Sequence, residues 1–303
     1  MTKNHDDRSH AYKLKSKETS ANGIRRIAIG RADKALEGLT RVGDEERERA
    51  VHEVRKNLKK LRSSLRMVKD ELGDDQYRQQ NKLFRDAGRE LAGSRDAAVK
   101  VETLNQLVKD ARGSLPARPV TQWRSVLATE AEPGSVDGDD HVETATGMIV
   151  EGRKGVEGWN LDVRGSALVE NGLTRSYSRG RKAMKDAKKD PTPENFHEWR
   201  KRSKDLWYQL RIVRKSWPQL LGETADLAHD LADLLGDHHD LAMLAEDLKE
   251  RDFQKAERRE LEKEIERQQV GLADEAFNLG KRIYAEKPKH FQRRFTTYWE
   301  TWR

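Results

Sequence analysis

The chain contains one amphipathic segment twice. The segment at residues 51–66 returns at residues 196–211 with a constant offset of 145 positions and no gap. When the first copy is drawn as a helix with about 100° per residue, its apolar residues share one narrow arc and its basic residues share the neighbouring arc. The apolar positions are Val54, Leu58, Leu61 and Leu65 in the first copy and Trp199, Leu206 and Leu210 in the second. We therefore predict two helices, each with a core stripe beside a cationic stripe.

The two cationic stripes hold the main candidate binding residues. They are His52, Arg55, Lys56, Lys59, Arg62 and Arg66 in the first copy, and His197, Arg200, Lys201, Lys204 and Arg211 in the second. Trp207 stands at the position of Arg62, so that cation is not repeated. Residues 51–69 hold seven Lys or Arg residues and one acid, and like charges three or four positions apart repel by roughly 0.2–0.5 kcal/mol per pair. One such helix alone is usually a solvated surface, but the matched duplication favours a polyanionic ligand.

Charge and composition narrow the class of protein. The net charge is +7 over 303 residues, while residues 51–69 carry +6 and residues 196–215 carry +5 by formal count, so the basicity is local and indicates an anionic partner. There is no Cys, which excludes disulfides, thiolate zinc sites and Cys nucleophiles and agrees with a cytoplasmic protein. No run of about 18 apolar residues is present, so no membrane span is expected.

Apolar patterns of helix length, and the Gly and Pro residues that bound them, repeat along the chain. We predict an all-α fold of two pseudo-symmetric four-helix bundles produced by an internal duplication. The predicted parts are a disordered tail (1–13), a first repeat (14–112), a partly acidic and flexible linker (113–164) and a second repeat (165–303). The first repeat ends with its fourth helix at residues 95–111.

Two stretches between the predicted helices carry specific expectations. Residues 125–152 contain no Lys or Arg and place acids among Gly and Pro, which predicts the flexible part of the linker. The alternative is that this stretch occupies the basic face as an internal competitor for the ligand. Residues 236–240 are predicted to form a turn equivalent to the turn at residues 93–96.

The two basic segments also carry a family resemblance. Each contains the pattern His-Glu-x-Arg-Lys-x-x-Lys, beginning at His52 and at His197. With Arg95-Asp96, His239-Asp240 and the run Tyr284-Ala285-x-x-Pro288-x-x-Phe291-x-x-Arg294, they resemble the CHAD family, the conserved-histidine α-helical domain, over residues 14–303. The resemblance implies a pseudo-two-fold pair of helical bundles that binds inorganic polyphosphate through basic helix faces and a central cleft. It assigns this role to the residues of both stripes.

The predicted polyphosphate-binding set also includes arginines outside the stripes. They are Arg26 and Arg31, which the first helix carries outward or towards the ligand, Arg175 and Arg179 of the helix that opens the second repeat, and Arg294 of the C-terminal motif. Polyphosphate is charged on every unit and has no sequence to read, so its receptor needs a track of cations. Residues 52–66 span roughly 21 Å of helix, along which Arg offers paired donors and Lys offers point charges.

We therefore expect a non-enzymatic, cytoplasmic polyphosphate-binding protein that needs no cofactor and is recruited to polyphosphate granules. The resemblance does not extend to the glutamate-rich strands of the triphosphatase domain that some family members carry, and the sequence contains no P-loop or nucleophile elbow. A basic helix could instead track a nucleic-acid duplex, although no helix-turn-helix, zinc-finger or RNP pattern is present. Nucleic acid is thus the less favoured partner.

Two further alternatives remain open. His52 and His197 either contact phosphate or close the contact between the two bundles.

Acids and histidines crowd one region, namely His229, Asp233, Asp237, His238, His239 and Asp240. A di-metal site in a helical bundle needs Glu-x-x-His pairs on facing helices, which are only approximated by Glu194-x-x-His197 and Asp226-x-x-His229. We therefore expect no metal there, and a metal-binding phosphate-processing protein is the least favoured alternative function.

Overall fold

The computed structural model describes residues 11–40, 47–91, 95–131, 138–163 and 165–303. These residues form twelve α-helices, one 3₁₀ turn and no strand, so the predicted all-α class is confirmed. The helices are α1 (Ser20–Thr40), α2 (Arg47–Met67), α3 (Lys69–Leu72), α4 (Asp74–Glu90), α5 (Arg95–Asp110), α6 (Ala117–Ala131), α7 (Gly138–Glu157), α8 (Ala167–Lys189), α9 (Pro193–Val213), α10 (Pro218–Lys249), α11 (Lys255–Ile283) and α12 (Pro288–Trp302). None of these helices is long and apolar enough to cross a membrane.

One continuous hydrophobic core joins the two predicted repeats. Its first part comes from α1, α2, α4 and α7, and its second part comes from α8, α9, α12, the first half of α10 and the end of α11. The predicted apolar stripes of both basic segments lie in this core. The division into two separate four-helix bundles is not confirmed, because this core runs through both halves.

The predicted linker (113–164) contains two helices, α6 and α7, so the flexibility expected of residues 125–152 was wrong for residues 125–131 and 138–152. α7 packs against α1 and α4 through Ala145, Ile149 and Val156, which are fully buried. These residues recur at helical spacing and form an apolar stripe that the surrounding acids and glycines obscure. Gly152 continues the stripe, since the ring of Phe84 lies where a β-carbon would be.

A second, smaller core contains α5 and α6. These helices pack against the second half of α10 and the first half of α11, around Leu104, Leu107 and Trp123. Asp247 accepts hydrogen bonds from Trp123 Nε1 and from Lys100 Nζ, both at 2.8 Å, and so fixes α5 and α6 to α10. The helix predicted to complete the first bundle therefore belongs to this second core.

α10 is a continuous helix of 32 residues, so the turn predicted at residues 236–240 is absent. Gly236 lies inside the helix, where a β-carbon would approach Arg200 Nη2 to 3.3 Å. The glycine therefore gives room for an arginine of α9 to cross α10 rather than ending the helix. The equivalent turn predicted at residues 93–96 lies mostly outside the described residues.

Candidate functional site

α2 and α9, the two predicted basic helices, form where the patterns place them. α9 begins at Pro193, and Thr192 caps it by accepting a hydrogen bond from the backbone N–H of Asn195 at 3.3 Å. Pro at the first helical position and Thr at the cap are typical of helix starts. The apolar stripe of each helix is buried in the main core. This burial fixes the direction in which the neighbouring cationic stripe faces.

The two helices contact each other through their C-terminal halves. Arg66 Nη2 of α2 lies 2.7 Å from Asp205 Oδ1 of α9, and Gln209 Nε2 of α9 donates to the backbone carbonyl of Ser63 at 3.4 Å. Asp205 also accepts from Arg202 Nη1 at 2.8 Å. The stripes of the two repeats therefore approach each other at this crossing, and Arg66 is neutralised there by a carboxylate.

Lys60, which the sequence interpretation left out, lies at the same crossing. It is only 9% exposed. Burial, together with the positive charges of Arg211, Arg31 and Lys56, lowers the pKa of Lys60 to about 8. On a helical wheel Lys60 falls about 40° beyond the cationic arc, so the wheel alone gave no reason to include it. Its burial depends on α9 and on the N-terminal segment.

That segment, residues 11–19, brings Tyr12 into the crossing. Tyr12 Oη donates to the backbone carbonyl of Lys60 at 3.1 Å, and the Tyr12 ring meets the Tyr208 ring edge-on with centroids 6.4 Å apart. The guanidinium carbons of Arg31 and Arg211 lie 5.9 and 5.8 Å from the Tyr12 ring centroid. The prediction of a disordered tail over residues 1–13 was therefore wrong at the C-terminal end of that range, because Tyr12 packs into the site. Residues 1–10 lie outside the described part of the chain.

We call Lys60, Arg31, Arg211 and Tyr12 the Lys60 cluster. Arg31 is 5% exposed and donates through Nη1 to Asn57 Oδ1 at 3.1 Å, so it faces inward from α1 towards α2. Arg211 also lies over the Trp207 ring, 5.3 Å from its centroid. Within the described ranges, no carboxylate is at ion-pairing distance from the Lys60 ammonium group. The cluster thus concentrates positive charge in a largely water-excluded place.

The N-terminal halves of the two helices present the more exposed cations. Lys56 and Lys201 are 41% and 51% exposed and have weak partners, Glu53 at 3.1 Å and Glu198 at 3.9 Å. The other predicted residues here are Lys59, which is exposed, and His52, Arg55 and Lys204, which are partly exposed. These side chains remain accessible to a ligand that starts at the crossing and follows the stripes.

The histidine of the second repeat lies against α10. The His197 and His239 rings are 4.4 Å apart, and the His238 ring stacks on Phe196 at 4.0 Å. Burial, and then the charges of His239, Lys201 and Arg200, lower the pKa of His197 to about 4. Burial lowers the pKa of His238 to about 4 as well. Both rings are therefore neutral at pH 7 in the ligand-free protein.

The remaining predicted arginines have partners of their own. Arg26 binds Glu18 at 2.6 Å, Arg294 binds Glu286 at 2.5 Å, and Arg175 pairs with Asp70 and donates to the Arg66 carbonyl at 2.7 Å. Arg62 Nε donates to Asn81 at 2.9 Å, and burial, with the charge of Arg66, lowers the pKa of Arg62 to about 10. Arg179 lies near Arg202 and Asp205, and burial lowers its pKa. These side chains shape the surroundings of the crossing.

A groove of about 690 Å³ lies between α5, α10 and α11. Its lining is mainly acidic, with Glu102, Asp110, Asp237, Asp240 and Glu275 against Arg112 and Arg267. Burial, and then the charges of Asp240 and Asp233, raise the pKa of Asp237. A polyanion would be repelled there, so the groove is not an extension of the basic site. In the described part of the chain, no three His, Asp or Glu side chains are arranged to hold a metal ion.

Comparison with known proteins gives one family match. A family model of the CHAD domain matches residues 27–249 of the 303-residue chain, a span that contains α2, α9 and the whole of α10. A comparison with curated proteins gives no significant match.

Proposed function

The chain belongs to the CHAD family, and from this premise we propose that it binds inorganic polyphosphate and does not turn it over. The proposed site is the cleft formed by the cationic stripes of α2 and α9. The observation that carries the proposal is the crossing at which Arg66 and Arg211, the last cations of the two stripes, meet beside the buried Lys60. Burying like charges is costly without a compensating anion.

The shape of the crossing favours a thin ligand. Packed helices lie about 8–10 Å apart, with their side chains in contact, so a single flexible chain of phosphates can follow the cations along both helices, whereas a duplex can only touch their outer faces. Phosphate oxygens also suit the donors present, since Arg makes paired contacts and Lys makes point contacts. Such binding would recruit the protein to polyphosphate granules.

The direct test is competition between long-chain polyphosphate and double-stranded DNA, matched in total charge, at physiological salt. We expect clear preference for polyphosphate and a steep loss of affinity with added salt, because counterions are released on binding. Preference for DNA would overturn the proposal in favour of a nucleic-acid-binding protein. A second assay measures phosphate release from polyphosphate in the presence of Mg²⁺, and it tests the proposal that the protein does not turn polyphosphate over. Sustained release would show that the protein is an enzyme.

A further inference from the structure

The internal repeat makes the two sides of the crossing directly comparable. With the offset of 145 positions, Arg66 of α2 is equivalent to Arg211 of α9, and Lys60 of α2 is equivalent to Asp205 of α9. Each arginine approaches the residue that stands opposite it on the other helix. On one side the pair is Arg66 with Asp205, at 2.7 Å. On the other side the pair is Arg211 with Lys60, and Arg211 is the charged group that most lowers the pKa of Lys60.

The two sides therefore differ in whether a carboxylate is present. Asp205 is 7% exposed and receives Arg66 and Arg202, so its charge is compensated within the protein. Lys60 is as deeply buried but faces Arg211, Arg31 and Lys56, and Glu53, an acid that raises its pKa, is already paired with Lys56. A pseudo-symmetric contact has thus lost its acid on one side only.

We propose that this missing acid is replaced by the ligand: one phosphate group of polyphosphate binds between Lys60 and Arg211 and anchors one end of the cleft. This inference rests on the proposed function and adds a position and a direction to it. The chain of phosphates then leaves the anchor along the exposed cations of α2 and α9. At the equivalent place, the carboxylate of Asp205 occupies the position of the anion and repels a second phosphate.

Tyr12 forms one wall of the anchor. Its ring contacts the guanidinium groups of both Arg31 and Arg211, and its hydroxyl donates to the Lys60 carbonyl. Leu14, two residues later, is fully buried and its N–H donates to the Ile212 carbonyl at 2.8 Å. The N-terminal segment therefore holds Arg211 in place and limits the anchor to a small group such as a single phosphate.

The test uses two probes of different length, tripolyphosphate and long-chain polyphosphate, with the full chain. The decisive variant is Lys60→Asp, which supplies Arg211 with the carboxylate that Arg66 already has. Lys60→Met removes the charge and keeps the length of the side chain. Lys109→Met is the matched control, because Lys109 is an exposed lysine of α5 that lies outside the proposed site.

We expect Lys60→Met to weaken tripolyphosphate binding about tenfold or more, since a charge-assisted contact is lost in a water-poor place. We expect Lys60→Asp to abolish tripolyphosphate binding while the protein stays folded, as judged by an unchanged or higher unfolding midpoint. The control Lys109→Met should weaken it less than threefold. Long-chain polyphosphate, which has further contacts, should still bind both Lys60 variants.

A second measurement separates anchoring from general charge loss. Calorimetric titrations at pH 8.5 in buffers of different ionisation enthalpy report the protons taken up on binding. The wild-type protein should take up protons when it binds tripolyphosphate, because an anion beside Lys60 raises the lowered pKa of this lysine. The charged or titratable groups that face Lys60 are Glu53, Lys56, Arg31, Arg211 and Tyr12. Lys60→Met should remove this uptake.

If Lys60→Met and Lys109→Met weaken tripolyphosphate binding equally, or if proton uptake is unchanged in Lys60→Met, the anchor is elsewhere and this inference is wrong while the proposed function stands. If the wild-type protein binds neither probe, the proposed function itself is wrong. Retention of full tripolyphosphate affinity by Lys60→Asp would also overturn the anchor.

Discussion

The imidazole rings of His197 in α9 and His239 in α10 lie 4.4 Å apart, beside Lys201, Arg200 and the buried His238. The Nδ1 atoms of His197 and His238 are buried without a hydrogen-bond partner in the described part of the chain. Protonation of either ring would add a positive charge to an already basic and poorly solvated place. The histidine end of the site is therefore sensitive to acid.

The first prediction concerns the stability of the protein between pH 7.5 and 5. The folded-state pKa of His197 and of His238 is about 4, below the ordinary value of 6.5. The unfolded chain thus binds these protons first, and stability present above pH 6.5 is lost as the pH falls towards 4. After allowance for solvent screening, we expect a loss of ~1–2 kcal/mol per histidine by pH 5. Urea unfolding at both pH values measures it.

The control for this prediction is His290→Gln, because His290 is exposed on α12. His197→Gln and His238→Gln should each make stability less dependent on pH, and His290→Gln should leave the dependence as in the wild type. An equal pH dependence in all four proteins would show that other groups cause it.

The second prediction tests the exposed cations. Lys56→Glu combined with Lys201→Glu should abolish polyphosphate binding at physiological salt, because both side chains lie on the stripes and two reversals change the local charge by four units. Far-UV circular dichroism should remain that of the wild type. The matched control is Lys109→Glu with Lys263→Glu, which makes the same change on exposed residues of α5 and α11. Comparable loss in the control would mean that binding follows net charge alone.

The third prediction concerns the ion pair between Arg66 and Asp205. Asp205→Asn leaves Arg66 and Arg202 near one another without their shared carboxylate. We expect a loss of ~2–4 kcal/mol in the free energy of unfolding, since removal of one partner from a buried pair leaves an uncompensated charge. Glu198→Gln is the comparison, because Glu198 is 46% exposed and also contacts Arg202. It should cost less than ~1 kcal/mol, and a larger cost there than for Asp205→Asn would contradict the ranking.

The fourth prediction uses the glycine under Arg200. In Gly236→Ala the new β-carbon would lie 3.3 Å from Arg200 Nη2, so the guanidinium has to move by a few tenths of an ångström. Helix stability should be unchanged or rise by up to ~1 kcal/mol, while polyphosphate binding should weaken about threefold because the orientation of the planar guanidinium group is altered. Gly271→Ala on α11, where nothing lies within 4 Å, should give the stability gain without the loss of binding.

The sequence predicted the helical class and the two basic helices correctly, since apolar residues such as Leu61 and Leu210 recur with the helical period and are buried. It did not predict α7, because Ile149 and its neighbours form a narrow apolar stripe among acids and glycines. It also placed a turn at Gly236, where the reason for the glycine is an arginine that crosses from another helix. Local pattern could not supply these tertiary reasons.

The composition of the site shows the same limit. A helical wheel places Arg66 in the cationic stripe, but only the folded chain shows that Asp205 neutralises it. The wheel leaves Lys60 outside the stripe, although α9 and Tyr12 make it the most buried lysine of the crossing. Whether a cation is free for a ligand depends on its neighbours from other elements. Sequence spacing on one helix does not contain that information.

The packing of Tyr12 has a practical consequence for protein engineering. The family match covers residues 27–249. Tyr12 lies before this range, and Phe277 of α11 lies after it. Phe277 stacks on Trp199 at 5.0 Å and Tyr12 sits beside Arg211. A recombinant fragment limited to the matched residues would lack an aromatic side chain at each of these places. Its basic cleft would be less tightly packed, so its affinity would not represent that of the full chain.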